Sequence, residues 1–203
     1  MDTFFNKKME IKIYQDPWPH VIIENVLSKK GLVITEDELQ KHKQQFKTLK
    51  NHPAKIKYSE ISNLPIYKGF TSELFKNLCY FLTHKKYKIN STSGIQFRFS
   101  NKNTPEFPLH HDFIDKESIV ILLYLSDLKE KDGGELVLVH PRNRENFKSI
   151  SPGYNKLVFF ASKKNNLHKV NRIKRGNRFS ILLELVTSNI NKNQNITIQP
   201  FGF

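Results

Sequence analysis

Residues 157–187 open with Leu157-Val158-Phe159-Phe160-Ala161, pass a short polar turn to Leu167-His168-Lys169-Val170, and continue as Gly176-Asn177-Arg178-Phe179-Ser180-Ile181-Leu182-Leu183. The first block is a continuous apolar run of strand length. The second is opened by a histidine, and the third by an arginine ahead of aliphatic residues. Arg175-Gly176-Asn177 supplies the turn before the last block. Short strands with turn residues between them are the texture of an antiparallel sandwich or barrel.

The same texture reaches back to Gly94. Strands are expected at Ile95–Ser100, Glu117–Leu125, Glu135–Val139, Leu157–Ala161, His168–Ile173 and Arg178–Thr187. Asp132-Gly133-Gly134 and Ser151-Pro152-Gly153 mark further turns. Ser188 to Asn195 reads as a loop, and Ile196 to Gln199 as a last strand.

Upstream the pattern is different. Pro17-Trp18-Pro19 enforces extended backbone, and His20-Val21-Ile22-Ile23-Glu24 follows as a β-branched strand. Thr35, with Glu38 three residues on, has the form of a capping box and predicts a helix from there to about Leu49. A second helix is predicted from Thr71 or Ser72, with Leu74, Phe75, Leu78, Phe81 and Leu82 on its apolar face. The expected organisation is one domain over 1–203. Residues 1–93 supply a strand and supporting helices, and 94–203 a mainly β core with the helices buttressing one sheet.

The chain has 203 residues, one cysteine and a formal net charge of +14, with a pI near 9.7. A lone cysteine excludes an internal disulfide and fits a reducing compartment. Cys79 lies in an apolar stretch and reads as packed, not reactive. No signal-like apolar core occupies Met1 to Glu10, and the longest apolar run, Ile119 to Leu125, is far below the roughly 20 residues of a membrane span. A cytoplasmic protein without membrane contact is expected. Most of the positive charge is lysine, the poorer residue for bidentate phosphate or base recognition. It is read as solvated surface, with an anionic macromolecular partner as the alternative.

Pro108-Leu109-His110-His111-Asp112-Phe113 carries the chemistry. In extended backbone, residues two apart share a face. His110 and Asp112 can grip one ion while His111 points away. Imidazole with carboxylate is a donor set suited to iron(II). His168, opening a strand more than fifty residues later, is the candidate third ligand. Arg178, ten residues further, would be a guanidinium at the start of an apolar strand. Such a group needs an anionic partner if buried, and a dicarboxylate provides one.

In this order, the residues resemble the prolyl-hydroxylase branch of the 2-oxoglutarate- and iron(II)-dependent oxygenases. The likeness also runs through Tyr124-Leu125-Ser126, Asp132-Gly133-Gly134-Glu135-Leu136 and Leu157-Val158-Phe159-Phe160, and more loosely through Pro19 to Leu27. The resemblance implies a double-stranded β-helix, or jelly roll, with the metal near one open end. It implies His110, Asp112 and His168 as Fe(II) ligands, and Arg178 and Tyr124 as contacts of 2-oxoglutarate. O2 is the other co-substrate, and ascorbate a supporting reductant. It also implies hydroxylation of a C–H bond, first of all in a prolyl residue of a peptide or protein. Asp112 in place of a small residue argues against halogenation. Arg98, together with Arg142 and Arg144 of the loop Pro141-Arg142-Asn143-Arg144, are candidate substrate contacts. Phe99 stands where many relatives have a pocket tyrosine, and Glu184 where they often have a large aromatic. Two other readings compete. One is a nucleic-acid demethylase, whose branch carries a second arginine six residues beyond the first, where this chain has Glu184. The other is a non-catalytic jelly-roll binding module.

Overall fold

The computed structural model describes residues 4–42, 45–49, 52–59, 65–70, 72–83, 87–89, 95–113 and 118–187. In chain order the elements are β1 (Glu10–Tyr14), β2 (His20–Glu24), α1 (Lys29–His42), β3 (Lys47–Leu49), β4 (His52–Ser59), α2 (Pro65–Phe70), α3 (Glu73–Thr83), β5 (Tyr87–Ile89), β6 (Ile95–Asn101), β7 (Phe107–His110), β8 (Ser118–Tyr124), β9 (Leu136–Val139), β10 (Phe147–Ile150), β11 (Lys156–Ala161), β12 (Leu167–Val170) and β13 (Asn177–Thr187). Among the described residues they form two sheets. The larger runs β1-β2-β11-β8-β13-β6-β4-β3, with β5 also on β13, and the smaller runs β10-β9-β12-β7. All pairings are antiparallel. The expected mainly β jelly roll with helices on one sheet is what the chain forms.

Strand alternation builds two apolar layers on opposite sides of the large sheet. Val21, Ile23, Ile121, Leu123, Leu157, Phe159, Ile181 and Leu183 pack with Leu39 of α1, Ile66 and Phe70 of α2, and Phe75 and Cys79 of α3. Their neighbours in sequence face inward. Ile22, Leu122, Tyr124, Val158, Phe160 and Leu182 meet Leu136, Leu138 and Ile150 of the small sheet. Every residue of β8 is buried, because both of its faces are covered. This explains its uninterrupted apolar run.

The first helix begins earlier than its sequence signal. Ser28 caps it, its Oγ accepting from the Gly31 N–H at 3.1 Å, so α1 starts at Lys29. Thr35 lies buried inside the helix and donates to the Gly31 carbonyl at 2.7 Å. Glu38 pairs with His42 at 2.9 Å and Lys41 at 3.5 Å instead of closing a capping box. The helix ends at His42, and Lys47–Leu49 forms a strand of a hairpin with β4. The hydroxyl that suggested a cap satisfies a backbone carbonyl one turn back instead. For α3 the expected start holds, with Ser72 Oγ accepting from the Phe75 N–H at 3.4 Å. Phe75 and Cys79 are buried as expected. The side chains of Leu74, Leu78, Phe81 and Leu82 lie outside the described residues, as do Glu117 and the loop and strand expected within Ser188–Gln199. No described helix is long and apolar enough to cross a membrane.

Candidate metal centre

His110 ends β7 and His168 is the second residue of β12. The two are direct partners in the antiparallel pairing, so both rings rise from the same row of the small sheet, centroids 4.3 Å apart. Asp112, two residues after His110, turns back onto the pair. Its Oδ1 is 3.5 Å from His110 Nε2 and its Oδ2 is 3.3 Å from His168 Nε2. One ligand atom from each of the three residues lies within 4.8 Å of the others, the one such group among the described residues. His111 is exposed and outside it, as strand alternation requires.

Both rings are held by the same device. His110 Nδ1 is 2.7 Å from the Pro108 carbonyl, and His168 Nδ1 is 3.1 Å from that of Asn166. A carbonyl only accepts, so Nδ1 carries the proton in each ring and donates it. In the neutral rings Nε2 then presents a lone pair toward Asp112. Two imidazole lone pairs and a carboxylate facing one another are stable only around positive charge. The carboxyl of Asp112 registers this. Burial would raise its pKa, but His110 and His168, which when protonated at Nε2 give it both hydrogen bonds and positive charge, hold it well below the usual carboxylate range. A divalent cation would supply the same positive charge. Aromatic edges limit ring motion. Phe107 meets His110 at 4.2 Å between centroids, and Phe160 meets His168 at 5.1 Å.

One row further along the small sheet, about 7 Å at the usual strand rise, lie Phe107 and Val170. They line a pocket that also takes in Arg98, Ser100, Asn171 and Arg178. Arg178 is 9% exposed. Its Nη1 donates to the Gly134 carbonyl at 3.0 Å, while its Nε is buried without a hydrogen-bond partner. Tyr124, 1% exposed, likewise has an unpartnered hydroxyl. Burial pulls the Arg178 guanidinium below its ordinary value and pushes the Tyr124 phenol up. Among the described residues, no carboxylate is paired with Arg178. Arg178 lines the pocket with one N–H still unpartnered, which would suit a carboxylate brought by a ligand; Tyr124, on the neighbouring strand, is not among the lining residues. These residues fit a chelating dicarboxylate, one end on the metal and the other on Arg178.

The Gly133-Gly134 turn sets that cradle. Both residues have positive φ, +77° and +81°, and a Cβ on Gly133 would sit 2.2 Å from the Arg172 carbonyl. Only glycine passes there, and the turn aims the Gly134 carbonyl at Arg178.

The remaining sequence candidates separate. Arg98 lines the pocket and binds Gln96 Oε1 through Nε and Nη2, at 3.0 and 2.7 Å. Arg142 and Arg144 are exposed on the turn after β9 and do not line it. That turn leaves the small sheet at the His168 end, since Val139 pairs with Leu167. The expectation for Phe99 needs correcting. Its ring packs against Phe46 and Phe179, at 6.1 and 4.9 Å, on the opposite face of β6 from Arg98 and Ser100. Ser100, paired with Arg178 across β6 and β13, is one of several pocket residues missed in the sequence, Asn171 being another. Alternation from Arg98 was the signal that could have found Ser100. Glu184 pairs with Val120, which places it on the inward face at the metal end. Burial pushes the Cys79 thiol up to about 12, as suits a packed, inert group.

Residues 95–183, somewhat under half of the chain, match the family model described as the 2OG-Fe(II) oxygenase superfamily. No curated protein matches the chain. Among solved structures, the fold is similar to a prolyl 4-hydroxylase from Phytophthora capsici, at 20% identity and TM-score 0.67, over 89% of this chain and 63% of that one. A Trichoplax adhaerens prolyl hydroxylase in complex with a hypoxia-inducible-factor oxygen degradation domain peptide is similar at 18% identity and TM-score 0.65, over 82% and 83%. A Pseudomonas putida prolyl-4-hydroxylase is similar at 16% identity and TM-score 0.63, over 84% and 93%. The chain thus spans less than two thirds of the first of these, and at such identities the likeness is one of fold.

Proposed function

We propose that the chain, as one oxygenase domain over 1–203, is a 2-oxoglutarate- and Fe(II)-dependent dioxygenase that hydroxylates a prolyl residue in a peptide or protein. The observation that carries this reading is the facing of His110, Asp112 and His168, with both Nδ1 atoms committed to backbone carbonyls. In it, His110 Nε2, His168 Nε2 and Asp112 would hold Fe(II). Arg178 and Tyr124 bind the far carboxylate of 2-oxoglutarate. When bound, Fe(II) would supply the redox chemistry by which one oxygen atom of O2 enters succinate, as 2-oxoglutarate loses CO2, and the other enters a C–H bond.

The protein's own contribution is placement. Phe107 and Phe160 restrain the imidazoles, and Phe160 is itself held in the buried cluster with Leu122, Val158 and Leu138. Arg178 and Tyr124 fix the direction of the chelate. Prolyl specificity is supported by three of the similar structures, which are prolyl hydroxylases, one of them with a bound peptide; another, of comparable similarity, is a carbocyclase. Arg98 inside the pocket, and Arg142 and Arg144 on the exposed turn, are assigned to substrate contact. The demethylase reading has less support, because Glu184 is an acid where a second arginine would be needed. A cytoplasmic setting is proposed from the single, buried cysteine.

The test is incubation with Fe(II), 2-oxoglutarate, O2 and proline-containing peptides, measuring succinate and peptide mass. Iron-dependent succinate with one oxygen atom gained on a peptide is expected. No succinate under any condition would leave a binding module. Succinate with oxidation only of methylated oligonucleotides would move the assignment to the demethylase class.

A further inference from the structure

We propose that Trp18 is a positioning residue for the metal ligand His168, so that the metal site is completed by a segment outside the matched span of residues 95–183. This inference rests on the metal centre of the preceding section. Trp18 precedes β2 and is 5% exposed. Its indole Nε1–H donates to the Val139 carbonyl at 3.2 Å and the Leu167 carbonyl at 3.3 Å. Those residues are direct partners at the end of β9 and β12, and Leu167 immediately precedes His168. One donor thus clips the strand pair together where the ligand emerges.

The same ring acts through a second route. It meets Phe160 edge-on, centroids 5.3 Å apart, and Phe160 in turn meets the His168 imidazole at 5.1 Å. Asn166 completes the frame. Its carbonyl accepts from His168 Nδ1 at 3.1 Å, and its side chain donates to the Ala161 carbonyl at 2.7 Å. Backbone, ring plane and tautomer of His168 are therefore each fixed by a different contact, and Trp18 contributes to the first two. Among the described residues, His110 has no such strut. It relies on Phe107 and the Pro108 carbonyl and is more exposed, which makes His168 the ligand that depends on distant support. Residues that orient ligands in this way typically change metal affinity by about 10- to 100-fold when altered.

The chain has one tryptophan. Growth on benzothienylalanine therefore replaces Trp18 alone, exchanging the N–H for sulfur with the ring shape retained. Trp18→Phe is the genetic counterpart, and Phe75→Leu, buried on the opposite side of the large sheet, is a control for general destabilisation. Anaerobic Fe(II) affinity by chelator competition, and the visible absorption of the Co(II)-loaded protein, are the readouts. The expected result is iron binding about tenfold weaker with an altered Co(II) spectrum for both position-18 proteins, and neither change for Phe75→Leu. Affinity within twofold of the parent for the benzothienyl protein, or an equal loss in Phe75→Leu, would overturn the role of Trp18. A parent protein that binds no iron would instead overturn the metal centre itself.

Discussion

Replacing Arg178 by methionine separates what this side chain does for the fold from what it does for the co-substrate. The residue is 9% exposed, with one hydrogen bond to the Gly134 carbonyl and an unpartnered Nε. Burying a charge without a counter-ion is costly, and apolar replacement of buried ionic groups is often neutral or stabilising by about 1–4 kcal/mol. Against that stands the loss of one hydrogen bond from a charged donor, about 1.5–3 kcal/mol. The two nearly cancel, so Arg178→Met is expected to unfold in urea within about 1 kcal/mol of the parent when 2-oxoglutarate is absent. Binding behaves differently. The far carboxylate would lose two charge-assisted hydrogen bonds, about 3 kcal/mol or more, which raises the 2-oxoglutarate requirement by roughly 150-fold. A ligand at a hundred times its dissociation constant stabilises a protein by about 2.7 kcal/mol, and the variant at the same concentration should show almost none of this. Urea melts with and without 2-oxoglutarate, beside a succinate assay, measure both effects. An unchanged co-substrate requirement, or a ligand-free protein weakened by several kcal/mol, would refute the reasoning. In that event Arg178 would be a structural residue.

Three further outcomes follow from the same geometry. His168→Ala should lose iron and turnover while circular dichroism stays native-like, whereas His111→Ala should keep both; iron loss in the latter would reverse the assignment of the adjacent histidines. Gly133→Ala should cost at least about 2 kcal/mol in chemical denaturation, since positive φ is disfavoured for alanine and its Cβ would meet the Arg172 carbonyl at 2.2 Å; an unperturbed midpoint would show that the turn relaxes freely. Phe99→Tyr should leave the Michaelis constant for 2-oxoglutarate unchanged, because the ring packs with Phe179 and Phe46 away from the pocket; a lowered constant would place the hydroxyl inside.

The site was more legible in the sequence than the frame around it. His110, Asp112 and His168 could be read because strand geometry dictates which of two adjacent histidines shares a face with the carboxylate, and an imidazole at a strand start is a local feature. Tyr124 stood out as a polar group interrupting an aliphatic strand, and Arg178 as a charge at the start of an apolar one. The start of α1 was misread because the Thr35–Glu38 spacing occurs equally well inside a helix, and only the packing after Leu27 favours Ser28 as the cap. β1, β7 and β10 carried no strong periodicity, since edge strands bury too little to impose one. The side of β6 on which Phe99 lies depends on register, and register is set by partners far along the chain.

In the large sheet β11 is flanked by β8 on one side and β2 on the other. A protein shortened to the part after Gly94 would strip away β2 and leave the peptide groups of Leu157–Phe160 as a bare template, flanked by valine and phenylalanine side chains. Such an edge recruits strands from other molecules. Cutting this chain at its change of texture should therefore yield self-associating material instead of a smaller working enzyme.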